Sequence, residues 1–186
     1  VTLANRITLV RLVLIPVFCG VVYCYAPTHL WARPAALAIY GVAALTDMLD
    51  GWVARRFNQR SRLGMRLDPL ADKLLINLGF VFLAANPSFE PGVPLWFPIP
   101  IMIRDIIVVI GALLLNAYIG PVHIKVRMIG KVSTLFLNGT LFFALLSVPF
   151  LPWLLWAATL LTLASCAQYI YDGIQQLRAG GEHSNG

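Results

Sequence analysis

Read for its apolar and polar positions, the chain resolves into six long apolar runs separated by short stretches rich in turn formers. The runs are Ile7–Tyr25, Trp31–Leu49, Pro69–Ala85, Leu95–Tyr118, Ile129–Val148 and Trp153–Tyr171. Each approaches or meets the roughly 17–25 residues that a helix needs to cross a bilayer's hydrocarbon. Between them lie Ala26-Pro27-Thr28-His29, Asn86-Pro87-Ser88 through Gly92, Gly120-Pro121, and Pro149 through Pro152, where proline and glycine end helices and turn the chain. The pattern predicts an all-α, polytopic membrane protein with six transmembrane helices. Residues 1–178 are expected to form a single membrane domain and residues 179–186 a flexible polar tail. No internal repeat or low-complexity tract interrupts this order.

Composition narrows the solvent. Of 186 residues, 59% are hydrophobic and 12% charged, about half the charge density of an average globular chain, and the mean hydropathy is +0.79. A soluble domain of this size has no core large enough to hide that much apolar surface. Disorder, a disulfide-stapled secreted scaffold and an ordinary cytosolic enzyme are excluded. The three cysteines, Cys19, Cys24 and Cys166, sit in apolar runs without metal-ligand spacing and read as packed thiols. Ile7–Tyr25 is too long for a signal-peptide core and carries Arg11, which makes it a retained span.

The fourteen Lys and Arg residues assign sides. Arg6 and Arg11 lie at the N-terminal end. Arg55, Arg56, Arg60, Arg62, Arg66 and Lys73 cluster at the second connection, Lys125, Arg127 and Lys131 at the fourth, and Arg178 follows the last span. The alternate connections hold only Arg33, and Arg104 falls inside the fourth span. The positive-inside rule therefore makes both termini and the second and fourth connections cytoplasmic. Trp31, Trp96, Trp153 and Trp156 lie near span ends and read as interfacial anchors. His29, His123 and His183 are scattered, without catalytic or zinc spacing.

Half of the eight acidic residues fall between Asp47 and Asp72. Carboxylates at a membrane border are costly, so the cluster is a candidate site; pairing with Arg55, Arg56 and Arg66 is the plainer explanation for one or two of them. Asp47 and Asp50 are three apart at the end of span two, and Asp68 and Asp72 are four apart at the start of span three, each pair on one helix face. Four such carboxylates in one pocket repel. Two divalent cations would cancel the charge and suit oxygen ligands, and a two-metal site is a recurring solution for phosphoryl displacement. Gly51, Ala54 and Gly64 are small enough for a nucleotide to approach the backbone, and Gly64 also suits a sharp turn before span three. Arg55 offers a planar fork to a phosphate. Helix packing and lipid-headgroup contact are the competing explanations for these small residues and the arginine.

Taken together, the residues spell D-x2-D-G-x2-A-R-x8-G-x3-D-x3-D without a departure. This pattern resembles the signature of the CDP-alcohol phosphotransferase (phosphatidyltransferase) family, and six spans with the motif joining the second and third look like the same family. The resemblance implies cleavage of the pyrophosphate of a CDP-linked alcohol, transfer of a substituted phosphate to an acceptor hydroxyl, and release of CMP. Carried over by motif position, it implies that Asp47, Asp50 and Asp68 hold two Mg²⁺ or Mn²⁺ ions. Asp72 would be metal-associated and the general base on the acceptor. Gly51, Ala54, Arg55 and Gly64 would line the CDP site at the cytoplasmic ends of the second and third helices.

The acceptor is less sharply marked. Asn5-x2-Thr8-x2-Arg11, followed by Leu14-Ile15-Pro16, and the stretch Leu67-Asp68-Pro69-Leu70-Ala71-Asp72-Lys73 resemble the phosphatidylglycerophosphate synthase and eukaryotic-type cardiolipin synthase branches. The resemblance implies CDP-diacylglycerol as donor and glycerol 3-phosphate, or another phosphorylated acceptor, as its partner. A cardiolipin synthase using phosphatidylglycerol is the alternative within the class, and a non-enzymatic ion-binding protein or transporter the alternative outside it. Arg104, Lys125, Arg127 and Lys131 are the candidate acceptor-phosphate ligands. Topology alone accounts equally for Lys125 and Arg127, and a pair with Asp105 is the other explanation for Arg104. Gly130-Lys131-x2-Thr134 resembles a G-K-x2-T element of glycerophosphate-using members, although Leu137 stands where Gln commonly follows, and Asp105 stands where Glu commonly follows the arginine. The resemblance also implies a homodimer in the lipid bilayer of a bacterial inner membrane, with no nucleic-acid partner.

Overall fold

Proline sets several of the helix limits. Pro98 opens one helix and Pro152 lies in the first turn of another, where a missing N–H costs nothing; a third helix stops at Ala85, just short of Asn86-Pro87. The computed structural model describes residues 3–26, 28–29, 31–57, 64–119 and 128–183, and side chains within 10–46, 70–114 and 128–176. Its helices are α1 (Leu3–Tyr23), α2 (Ala32–Phe57), α3 (Gly64–Ala85), α4 (Pro98–Ile119), α5 (Met128–Leu146) and α6 (Leu151–His183). There is no strand among the described residues. Every predicted apolar run has its helix, but the helices and the apolar pattern do not share their limits. α2 continues past Leu49, α3 begins before Pro69 so that Gly64 is helical rather than part of a turn, and α6 runs well past Tyr171. Apolarity marks depth in a membrane, whereas Val53-Ala54-Arg55-Arg56 and Gln175-Gln176-Leu177-Arg178-Ala179 go on supplying helix-forming residues beyond it.

Two compact units emerge, Val1–Leu95 with Leu141–Leu151, and Trp96–Thr140 with Pro152–Gly186. In the first, α1 packs against α2 and α3. Its core follows helical periodicity: Ile15, Phe18, Cys19 and Val22 of α1, Ala32, Ala36, Tyr40 and Ala43 of α2, and Ala71, Leu75, Ile76, Phe80 and Leu83 of α3 are all buried. The small residues of α2 let backbones approach, as membrane helices require. Gly79 does the same on α3: a Cβ there would lie 3.0 Å from Leu141 and 3.2 Å from Phe18. In the second unit α6 buries Leu155, Ala158, Thr159, Thr162 and Ser165. Thr159 and Thr162 donate to the carbonyls of Leu155 and Ala158, four residues back, so their hydroxyls are satisfied without water.

Two features hold the end of the first unit that the charge pattern placed outside. Asn86 Nδ2 donates to the carbonyls of Val22 (2.8 Å) and Tyr25 (2.9 Å), where α1 ends, and its Oδ1 accepts from the Ser88 N–H. Arg33 donates from Nε to the Leu145 carbonyl near the end of α5 and stands over the rings of Tyr25 and Phe89. A cation at a helix C-terminus is favoured by the backbone dipole, and the two rings add a cation–π attraction. α5 itself closes on Ser147, at φ 53°, with Ser147 N–H bonded to Ala144 O and Val148 N–H to Phe143 O. That turn favours glycine, and the buried Ser147 Oγ makes no hydrogen bond in the structure. Ser147→Gly should therefore raise stability by about 0.5–1 kcal/mol despite the added freedom of the unfolded chain, read as a higher melting temperature in detergent.

What faces outward is apolar. Ile99, Met102, Ile106, Val109 and Leu113 form an exposed stripe on α4, and Trp153, Trp156, Leu160 and Leu163 are exposed on α6. Two helical stretches, Met128–Leu146 and Leu151–Gln176, are long and apolar enough to cross a membrane, with only 33% and 28% of their apolar windows buried. A soluble core helix is mostly covered; these are not. Val10–Tyr23 and Ala32–Thr46 are shorter apolar stretches of the same kind.

Candidate active site

The side-chain geometry of the site starts from α1. Arg11 lies on the same stripe as Ile15, Phe18 and Val22, four residues ahead of Ile15, and faces the core with 1% of its side chain exposed. A guanidinium in that position needs a counter-charge. Asp72 supplies one from α3, accepting from Arg11 Nη1 at 2.8 Å on Oδ1. Ala71 begins the buried stripe of α3, so its neighbour Asp72 emerges at the stripe's edge, with 37% of the side chain exposed. The carboxylate is thus anchored on one side and open to solvent on the other. Tyr40 of α2 is buried within electrostatic reach of Asp72. Three helices contribute to this arrangement, and Lys73 is half-buried next to Asp72 in sequence.

The remaining aspartates are placed by their backbone. Asp47 and Asp50 lie on α2, which continues unbroken through Gly51, Ala54 and Arg55 to Phe57, and Asp68 lies on α3 one turn before Asp72. The side chains of Asp47, Asp50, Gly51, Ala54, Arg55, Gly64 and Asp68 are outside the described residues. Both halves of the motif are therefore helical, and both helices pack on α1. Among the described side chains no group of three or more His, Cys, Asp and Glu comes together. The donor set of the motif itself is entirely carboxylate, since Cys19, Cys24 and Cys166 are free thiols elsewhere in α1, the segment after it, and α6. Oxygen-only donors fit Mg²⁺ or Mn²⁺ and not a thiophilic metal.

The second unit holds the candidates for the acceptor phosphate. Arg104 is 4% exposed; its Nε and Nη2 donate to Asp105 Oδ1, and its Nη1 lies 3.3 Å from Ser133 Oγ of α5. The pair with Asp105 expected for Arg104 is thus formed, and a polar contact to α5 accompanies it. Lys131, two residues before Ser133, is exposed. Lys125, Arg127 and His123 are outside the described residues. Gly130 has a packing reason: a Cβ there would stand 2.8 Å from the Tyr169 hydroxyl of α6, so glycine makes room for that phenol beside Lys131. Thr134 donates to the Gly130 carbonyl, and Leu137, where Gln was the common residue, is buried in the core.

Sequence reasoning quoted Arg11 but gave it no role, although a cation inside an apolar span is a functional signal by default. Tyr40 and Tyr169 carried no signal of their own, because each depends on a neighbour from a distant helix.

Comparison with known proteins gives concordant results. Residues 1–164 match the family described as CDP-alcohol phosphatidyltransferase. The chain is 33% identical over 196 aligned positions, covering 95% of it and 97% of the relative, to the CDP-diacylglycerol--glycerol-3-phosphate 3-phosphatidyltransferase of Bacillus subtilis. It is 39% identical over 107 positions, 56% of this chain and 51% of the relative, to the Pseudomonas fluorescens protein of the same name. Over 80 positions, 43% of this chain and 42% of the relative, it is 45% identical to the same-named protein of Escherichia coli K12.

Proposed function

The chain belongs to the CDP-alcohol phosphatidyltransferase family, and from that premise we propose that it transfers the phosphatidyl group of CDP-diacylglycerol to glycerol 3-phosphate. The products are phosphatidylglycerophosphate and CMP. The observation that carries this reading is the similarity to a CDP-diacylglycerol--glycerol-3-phosphate 3-phosphatidyltransferase along nearly the whole of both chains. It favours glycerol 3-phosphate over phosphatidylglycerol as acceptor. The motif on α2 and α3 supports the same chemistry.

Asp47, Asp50, Asp68 and Asp72 would hold two Mg²⁺ or Mn²⁺ ions, which supply charge neutralisation at the phosphoryl oxygens when bound. Gly51, Ala54, Arg55 and Gly64 line the CDP moiety, the small residues admitting it and Arg55 gripping a phosphate the carboxylates repel. Arg104, Lys125, Arg127 and Lys131 receive the acceptor's phosphate. Its primary hydroxyl oxygen bonds to the lipid-side phosphorus as the bond from that phosphorus to the CMP oxygen breaks. Asp72 takes the hydroxyl proton. Residues 1–178 work as one six-span membrane domain with a polar tail, the termini and the site on the cytoplasmic side of a bacterial inner membrane. The lipid donor enters from the bilayer and the polar acceptor from the cytoplasm. The working unit is a homodimer.

Purified protein in detergent with Mg²⁺ or Mn²⁺ should release CMP from CDP-diacylglycerol when glycerol 3-phosphate is present, and release should fall to background with EDTA. Phosphatidylglycerol, inositol phosphate and serine should not substitute. Release with phosphatidylglycerol alone would move the protein to cardiolipin synthesis, and folded protein that releases no CMP with any of these acceptors would defeat the proposal.

A further inference from the structure

We infer that Arg11 is a positioning residue for the transfer reaction, fixing the carboxylate of Asp72 from the opposite helix. The inference rests on the reading of Asp72 as the group that takes the acceptor's proton. Its basis is geometric. Arg11 is among the largest side chains fully enclosed by the protein, and its guanidinium meets Asp72 Oδ1 at 2.8 Å across 61 residues of sequence. A guanidinium so enclosed has little room to move, so it is a stiff reference point for the carboxylate.

Charge accounting sharpens the point. Asp72 carries a protein cation as a built-in counter-charge. Part of its charge is thus balanced, and its orientation set, from α1. A reacting hydroxyl has to meet a carboxylate oxygen within hydrogen-bond reach, and a misplacement of about 1 Å costs on the order of 10²-fold in rate. Lysine in place of Arg11 would keep the charge but lose the planar fork.

The test compares wild type, Arg11→Lys and Arg11→Gln in CMP release, with CDP-diacylglycerol and glycerol 3-phosphate varied separately, and measures melting of the metal-free proteins. Arg11→Gln should lower kcat about 10²-fold and Arg11→Lys about 10-fold, with the KM for CDP-diacylglycerol within about 3-fold of wild type. In melting, Arg11→Gln and Asp72→Asn should each lower the midpoint, and the double variant should lose less than the sum. If Arg11→Gln cannot be purified folded, Arg11→Lys decides alone. Wild-type kcat in either variant, a loss confined to KM, or additive melting losses would each overturn the inference. Wild-type protein that releases no CMP would instead defeat the functional reading beneath it.

Discussion

Asp72→Asn should abolish CMP release, by about 10³-fold or more, while leaving binding of CDP-diacylglycerol measurable. Removal of a positioned general base costs roughly 10²–10⁴-fold, and any contribution of Asp72 to metal binding adds to the loss. Asparagine keeps the shape of the side chain but cannot take the acceptor's proton. The same substitution takes the counter-charge from Arg11, which is 1% exposed. Breaking a fully buried pair costs about 3–5 kcal/mol; because Asp72 is 37% exposed, about 1–3 kcal/mol is the appropriate scale. The variant should therefore melt lower as well as turn over more slowly. Adding Arg11→Gln should recover stability without recovering activity, which separates the two losses. Asp72→Asn protein that is folded and turns over within a few-fold of wild type would remove Asp72 from the chemistry.

That experiment also tests the rival to an enzyme, an ion-binding transporter, which would lose ion coupling instead of CMP release. A transport path needs polar side chains distributed through the depth of the bilayer. Two of the charges described away from the aspartates have local contacts instead. Arg33 holds the end of α5 and stands over two rings, and Arg104, which would receive the acceptor, meets Asp105 and Ser133.

Much of the helical architecture was legible in the sequence because long apolar runs between turn formers fold as helices. Each of the six apolar runs became a helix, and proline marked several of their limits. Helix length was less legible, since α2 and α6 continue on residues such as Ala54, Gln175 and Ala179 that favour helix at any depth. The aspartate motif was legible because its spacing is rigid within each helix. Arg11 was visible as an anomaly, a cation within an apolar stripe, yet its partner 61 positions away was not. Gly130 was legible only as part of a motif; the Tyr169 hydroxyl that requires it comes from α6 and leaves no local trace. Asn86 was read as one turn residue among several. Its role depends on two carbonyls at the end of α1, and that information exists only in three dimensions.

Asn86 accordingly carries the largest stability effect expected outside the site. Its amide is 8% exposed and donates to Val22 O and Tyr25 O while its oxygen accepts from Ser88 N–H. Asn86→Asp is nearly isosteric but, when ionised, has no donor. It would set a negative charge against carbonyl oxygens at the negative end of the α1 dipole. Leaving buried carbonyls unpaired costs roughly 1–3 kcal/mol each, and the repulsion adds to it, so a loss of about 3–5 kcal/mol is expected. Asn86→Ala, which leaves the carbonyls unpaired without adding charge, should lose about 2–3 kcal/mol. At this chain length each kcal/mol moves the melting temperature by about 2–4 °C, so Asn86→Asp should melt some 6–20 °C lower. Asn86 lies one residue past the end of α3 and fourteen from Asp72, about 21 Å at 1.5 Å per residue. Below its new melting point, the variant should therefore keep kcat within about 2-fold of wild type. An unchanged melting temperature would show that water or lipid headgroups satisfy the α1 carbonyls equally well. A large loss of kcat in folded protein would mean that the two ends of α3 are coupled, and that Asn86 acts on the reaction as well as on the fold.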